Sequence, residues 1–199
     1  MSAAVAMAAG LPDPVHDSQQ AFRAALDALA RPGQIQRVGG ALPDVALGGA
    51  MARLLLSLSD ADSPVWWQGE MPVEQEWLRF HTGADLARQA DSASFAVMTS
   101  ASRGVTLANF AQGTAAAPEF STTLVIELPS LEDGVTLEWR GPGIQTVQAV
   151  KLAGLPEDFW PQWQANHAAF PQGVDILLTC GEHALGLPRT TRVRRWEGV

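Results

Sequence analysis

Among its 199 residues the chain has one cysteine, one lysine and no tyrosine. Cys180 has no second cysteine to pair with, so an internal disulfide is excluded and a reducing cytoplasm is the expected compartment. Cations are scarce as well: 13 Lys and Arg stand against 21 Asp and Glu, for a formal charge of -8. That sign opposes general attraction to nucleic acid or to an anionic membrane surface, and neither is expected as a partner. No apolar run approaches the roughly 18 residues that a membrane-crossing helix requires. The stretch Ala3 to Leu11 is apolar, but the first basic residue is Arg23, so the charged opening of a secretory signal is missing. These absences predict a cytoplasmic protein with a flexible N-terminus over residues 1–15 and a single α/β domain over residues 16–199.

What is present suits a packed domain. The chain is 47% hydrophobic and 17% charged, and at this length about 70% of the unfolded chain's surface is buried on folding, so no metal or disulfide staple is needed. Phe22, Leu26 and Leu29 recur at helical spacing over Ser18–Ala30, with Asp17 or Ser18 placed to cap the first turn and Arg31-Pro32-Gly33 to end it. Gln34–Val38 reads as a short strand, and Asp44 is placed to cap an apolar helix running to Asp60. Pro64–Trp67 and Phe95–Met98 read as strands, Glu74–Phe80 as a helix, Asp85–Asp91 as a short polar helix, and Leu107 and Phe110 as parts of another. Thr122–Leu128 and Val135–Trp139 predict an antiparallel hairpin, extended by Ile144–Leu152. A Trp-rich helix over Pro156–Phe170, a buried strand over Val174–Cys180 and an edge strand over Thr190–Trp196 complete the chain. Interleaved helices and strands followed by hairpins predict a three-layer αβα sandwich around a mixed sheet.

Several chemistries find too few residues. Lys151 alone is available to form an aldimine with pyridoxal phosphate, and it sits in a strand-like segment. Cys180 and His183, with Glu182 between them, lack the second paired motif of a zinc site. Gly-x-Ser-x-Gly, Walker and Gly-x-Gly-x-x-Gly motifs are absent, and Ser100 and Ser102 sit in a turn without a His/Asp pattern. Neither a cofactor nor a metal is expected. Two polar clusters are the candidates for an anion site or an interface. One is His81 and Thr82 before Gly83, which reads equally as a capped helix end. The other is Arg189, Thr190, Thr191 and Arg192, where guanidiniums suit phosphate, phosphonate or carboxylate. In a strand Arg189 and Thr191 face away from Thr190 and Arg192, and such a strand can equally meet a partner or bridge to acidic side chains of its own fold.

The order of several short motifs goes further than any of them singly. Phe22-Arg23 leading to Ala30-Arg31-Pro32-Gly33, Leu54–Asp60 before Pro64-Val65-Trp66, Phe80-His81-Thr82-Gly83, Ala90-Asp91 before Phe95-Ala96, Gly141-Pro142-Gly143-Ile144, Phe159-Trp160, Asn166, Phe170-Pro171, Gly173-Val174-Asp175 and Leu187-Pro188-Arg189-Thr190-Thr191-Arg192-Val193 together resemble the PhnH family of the bacterial carbon-phosphorus lyase machinery. The resemblance runs from about Phe22 to Val193; one departure is Gln172, where the family usually has Arg. It implies the fold of the large domain of pyridoxal-phosphate-dependent transferases without the cofactor. It also implies a supporting subunit that assembles with PhnG-, PhnI- and PhnJ-type partners and forms a homodimer when isolated. Together with PhnG-, PhnI- and PhnL-type proteins such a subunit would convert ATP and alkylphosphonate into ribose 1-alkylphosphonate 5-triphosphate, releasing adenine, before a PhnJ-type radical S-adenosylmethionine subunit breaks the carbon-phosphorus bond. Two other readings stand beside it: an autonomous phosphate-ester or phosphonate enzyme, and a module that senses a nucleotide or phosphonate.

Overall fold

A computed structural model of the chain describes residues 7–99 and 106–196. Ser100, Ser102 and most of the turn predicted at Thr99–Gly104 therefore lie outside the described residues, as do residues 1–6. From Ala8 onward the chain lies against the rest of the protein: Trp77 Nε1 donates to the Ala9 carbonyl at 3.2 Å and the His81 ring to that of Ala8 at 3.0 Å.

Helix α1 (Pro14–Ala30) begins four residues before the predicted start, because Asp13, not Asp17 or Ser18, accepts from the His16 amide at 3.1 Å and Pro14 fits the first helical position. Its buried face is also different. Ala21, Ala24, Ala25 and Ala28 face inward while Phe22 and Leu26 are about half exposed. The reason is closeness of approach: a Cβ at Gly186 on the underlying strand would sit 2.4 Å from the Ala28 carbonyl, so nothing larger than alanine fits between them. Helix α2 (Gly49–Leu58) starts at the Gly48 cap, and Asp44, expected to cap it, instead holds a left-handed turn at φ 59°. Helix α3 (Pro72–Thr82) ends on the left-handed Gly83, whose amide donates to the Arg79 carbonyl at 2.9 Å. Helix α4 (Phe159–Ala168) buries Phe159, Trp163 and Asn166. The polar helix predicted over Asp85–Asp91 is reduced to a 3-10 turn at Ala90–Ser92, and that through Leu107 and Phe110 to one at Leu107–Asn109.

The strands are β1 (Gln36–Arg37), β2 (Val65–Trp67), β3 (Phe95–Met98), β4 (Thr123–Glu127), β5 (Ser130–Arg140), β6 (Gln148–Ala153), β7 (Asp175–Cys180), β8 (His183–Leu187) and β9 (Arg192–Arg195). Six form a mixed sheet in the order β1-β8-β7-β4-β3-β2, in which β2, β3, β4 and β7 are mutually parallel, β8 runs antiparallel to β7, and β1, antiparallel to β8, runs with the parallel strands. The α/β class and mixed sheet agree with expectation. The predicted hairpin between β4 and β5 does not form. Leu124, Val125 and Ile126 are all fully buried, so β4 needs cover on both faces and takes the centre of the parallel sheet, paired with β3 and β7. Strand β5 turns away into a separate antiparallel sheet, β6-β5-β9.

The period-two alternation of the large sheet divides the core. Ala96, Met98, Leu124, Ile126, Ile176, Leu178, Leu185 and Leu187 point to one face, where they meet the small sheet through Leu137, Trp139, Val150 and Val193 and α4 through Phe159 and Trp163. Val65, Val97, Val125, Leu177 and Ala184 point to the other, beneath α1, α2 and α3. One outer layer is thus helical, and the other is a small sheet with a single helix in place of the all-helical layer expected. Because the Ala28–Gly186 contact fixes α1 on the sheet, Gly186→Ala should overpack it and cost about 1–3 kcal/mol, read as a lowered denaturation midpoint. An unchanged midpoint would mean that α1 can shift outward freely.

Candidate functional site

The edge strand expected over Thr190–Trp196 begins only at Arg192. Pro188–Thr191 is a tight turn closed by the Thr191 amide on the Pro188 carbonyl, so the terminal Arg/Thr cluster is divided by that turn and not by strand alternation. Arg189 and Thr191 are buried and Thr190 and Arg192 look outward. Arg189 spends its whole fork inside the protein. Its Nε reaches both Asp175 oxygens at 3.2 Å, and one Nη reaches Asp175 Oδ2 at 2.6 Å and also donates to the Ser121 hydroxyl. The other Nη donates to the Pro118 and Pro171 carbonyls, each at 3.1 Å, so every guanidinium N–H has an acceptor. The Arg189 amide adds a bond to Asp175 at 2.7 Å. Of the readings open for Arg189, the bridge to an acidic side chain of its own fold is the one formed. Thr191 is fixed between its amide bond to the Pro188 carbonyl at 2.8 Å and the bond its own carbonyl accepts from Trp163 Nε1 at 2.9 Å.

Thr190 and Arg192 line an open cleft of about 600 Å³ together with Arg140, Gly141, Pro142, His167 and Phe170. Arg140 arrives from β5, because that strand pairs with β9 in a register that places Arg140 opposite Arg192. His167 arrives from the last turn of α4. Its Nδ1–H donates to the Arg189 carbonyl at 2.8 Å, which leaves Nε2 to accept from Arg192 Nε at 3.2 Å. The neutral ring therefore aims Arg192 by one nitrogen and leaves its two terminal amino groups without a partner among the described residues. Arg140 has only a loose approach to Glu138 at 3.8 Å. Two guanidiniums and the Thr190 hydroxyl thus line one cleft with unused donor capacity, while the His167 ring, with both nitrogens engaged, only orients Arg192, an arrangement that can hold a tetrahedral oxyanion. Arg140 and His167 were missed in the sequence. Neither carries a local signal, since the β5–β9 register and the direction of α4 are what bring them to Arg192.

His81 and Thr82 lie elsewhere, on α3, whose core residues Trp77 and Leu78 pack on the opposite face of the large sheet from Val193. Thr82 Oγ1 donates to the Leu78 carbonyl at 2.8 Å and accepts from the Ala84 amide at 3.1 Å; with His81 bonded to Ala8, the pair is a helix terminus and does not join the cleft. Cys180 and His183 stand opposite each other across the β7–β8 turn, while Glu182 pairs with Arg37 at 2.7 Å. Among the described residues no three His, Cys, Asp or Glu side chains gather to hold a metal ion. Lys151 is exposed on β6, opposite Thr136. Glu127, at the carboxyl end of β4, accepts from the Thr179 hydroxyl and from the Gly181 amide at 3.1 Å and lies against the Gly48 cap of α2. At that end of parallel strands, where α/β proteins commonly bind ligands, the chain's own carboxylate takes the place beside the helix. Burial pushes the Cys180 thiol up, and Glu127 and Glu132 act in the same direction.

The fold and cleft define a class: an α/β domain with a cationic cleft at the amino end of its parallel strands. The model of the family described as bacterial phosphonate metabolism protein (PhnH) matches residues 9–194, and the chain belongs to that family. A Rhizobium meliloti (strain 1021) protein named alpha-D-ribose 1-methylphosphonate 5-triphosphate synthase subunit PhnH is 41% identical over 186 residues, covering 92% of this chain and 93% of that one. A Stutzerimonas stutzeri protein named putative C-P lyase subunit protein HtxG is 37% identical over 76 residues, 38% of this chain and 39% of that one.

Removing a buried pair's cation leaves its carboxylate unanswered. Arg189→Ala should cost about 3 kcal/mol in chemical denaturation, the low end for such pairs because Asp175 keeps 26% of its side-chain exposure. Arg192→Ala should cost less than about 0.5 kcal/mol; equal losses would refute this division of the cluster. A raised thiol pKa means less thiolate at neutral pH, so alkylation of Cys180 by iodoacetamide should run slower than that of free cysteine and rise more steeply toward alkaline pH.

Proposed function

We propose that the chain is a supporting subunit of a carbon-phosphorus lyase core complex. It assembles with PhnG-, PhnI- and PhnJ-type partners and, together with PhnG-, PhnI- and PhnL-type proteins, takes part in converting ATP and an alkylphosphonate into ribose 1-alkylphosphonate 5-triphosphate, with release of adenine. The observation that carries this reading is near-full-length similarity to a protein named as a subunit of the corresponding synthase. The chain is not catalytic alone, and the cleft of Arg140, His167, Thr190 and Arg192 supplies a phosphate- or phosphonate-binding surface rather than a reacting group. Residues 16–199 act as one domain in the cytoplasm, and the isolated chain forms a homodimer; the exposed Phe22 and Leu26 of α1 give that pairing an apolar surface. We also propose that the mixed sheet, covered on both faces, is that of a pyridoxal-phosphate-dependent transferase large domain without the cofactor. The exposed setting of Lys151 on the small sheet supports this.

The test is co-expression of the tagged chain with its host's PhnG-, PhnI- and PhnJ-type subunits, followed by size-exclusion chromatography and mass spectrometry. A stoichiometric complex is expected and, once a PhnL-type protein is added, conversion of ATP and methylphosphonate only when this chain is present. Arg140→Ala and Arg192→Ala should slow growth on methylphosphonate as sole phosphorus source, while Lys151→Ala should not. A chain that stays apart from assembled partners, or that turns over a phosphonate unaided, would overturn the subunit reading.

A further inference from the structure

On the face of the large sheet opposite the cationic cleft, the first turns of α3 and the segment around Val45 enclose an apolar groove of about 490 Å³. Its walls are Met7, Val45, Pro72, Val73 and Trp77. Into this groove faces Glu74, only 8% exposed, and no hydrogen bond or ion pair reaches its carboxylate among the described residues. Its position in the first turn of α3 brings the favourable end of the helix dipole near, but that leaves its oxygens without a donor. With Asp44 lining the same groove, two carboxylates without a protein partner among the described residues give it a negative lining that favours an entering cation. The neighbouring Glu76 is already answered by Arg79 at 3.0 Å, so the unpaired charges of the groove are those of Asp44, which is exposed, and Glu74, which is largely covered.

The apolar surface does not stop at the groove. Val73 and Phe80, 63% and 67% exposed, lie two helical turns apart on one side of α3. An exposed apolar stripe that runs on from an acidic pocket fits a polypeptide better than a small ligand, which the groove alone would hold. We propose that this surface docks a partner subunit through an apolar segment carrying one arginine or lysine, whose cation pairs with Glu74 while its neighbours cover Val73 and Phe80. This rests on the subunit reading above and names the surface that serves it.

The test uses the full chain co-expressed with its host's PhnG-, PhnI- and PhnJ-type subunits. Glu74→Gln preserves the side chain's shape and Glu74→Lys reverses its charge; denaturation curves check that both remain folded. Affinity for the assembled partners should fall about tenfold or more for Glu74→Gln, as loss of a charged hydrogen bond predicts, and further for Glu74→Lys. In parallel, the photocrosslinking residue p-benzoylphenylalanine in place of Val73 should capture one partner peptide with a basic residue amid apolar ones. Wild-type affinity in both folded variants would overturn the docking site while leaving the subunit reading intact. Crosslinks to a second copy of this chain, or to its own residues 1–6, would overturn it as well. If the wild-type chain forms no complex, both readings fall together.

Discussion

The amino end of the large sheet depends on the Arg189–Asp175 fork. Asp175 opens β7, Pro118 and Ser121 lie just before β4, and Pro171 closes the turn after α4. One planar guanidinium binds all of these at once. Asp175 is in register with Thr123 at the start of the β4–β7 ladder, but Pro118, Ser121 and Pro171 stand outside it, and each segment brings a carbonyl, hydroxyl or carboxylate that needs a donor once buried. A lysine could reach one or two of these acceptors. The five N–H groups of an arginine, fixed in a plane, answer all of them, and the carboxylate offsets the charge in the same place.

That constraint reaches the cleft by two short paths. The Arg189 carbonyl receives the His167 ring, and the chain after it is held by the bond from Trp163 to the Thr191 carbonyl. Thr190 is therefore carried between two anchored residues, and His167, with its Nδ1 engaged, can meet Arg192 only through Nε2. Asn166, beside His167 on α4, is fixed by reciprocal bonds with Val174 at 2.8 and 3.0 Å. The exposed guanidiniums of the cleft are thus aimed by a layer of internal bonds, the arrangement that lets a binding surface lose little side-chain entropy when it is occupied.

Much of the large sheet was legible in the sequence because its strands are short, β-branched and bounded by turn residues; Val65–Trp67, Phe95–Met98 and Asp175–Cys180 stand close to where the pattern places them. The pairing of Thr123–Glu127 was not legible. Leu124, Val125 and Ile126 form a continuous apolar run, the mark of a strand covered on both faces, but the nearby Val135–Trp139 offers an equally good hairpin by sequence distance. The α1 face was misread for a related reason: hydropathy favours Phe22 and Leu26 for the core, whereas the spacing between helix and β8 admits only alanine. Of the site, the split of Arg189 and Thr191 from Thr190 and Arg192 was expected from strand alternation, but the structure makes it with a turn over Pro188–Thr191 that precedes the strand. Which pair turned inward, and the arrival of Arg140 and His167, depend on tertiary register.

Net charge is a coarse guide to what such a chain meets. The formal charge of -8 argues against a polyanionic partner only if charge is spread evenly, and it is not. At physiological salt, fields between exposed charges fade over about 8 Å, so a ligand in the cleft responds to Arg140 and Arg192 more than to the carboxylates of α3. The large sheet lies between the cationic cleft and the unpaired Glu74, with its two cores facing opposite ways. Each surface can therefore recognise a group of opposite sign without cancelling the other. On the subunit reading proposed above, that separation would let an oxyanion be held on one face while a basic segment is engaged on the other.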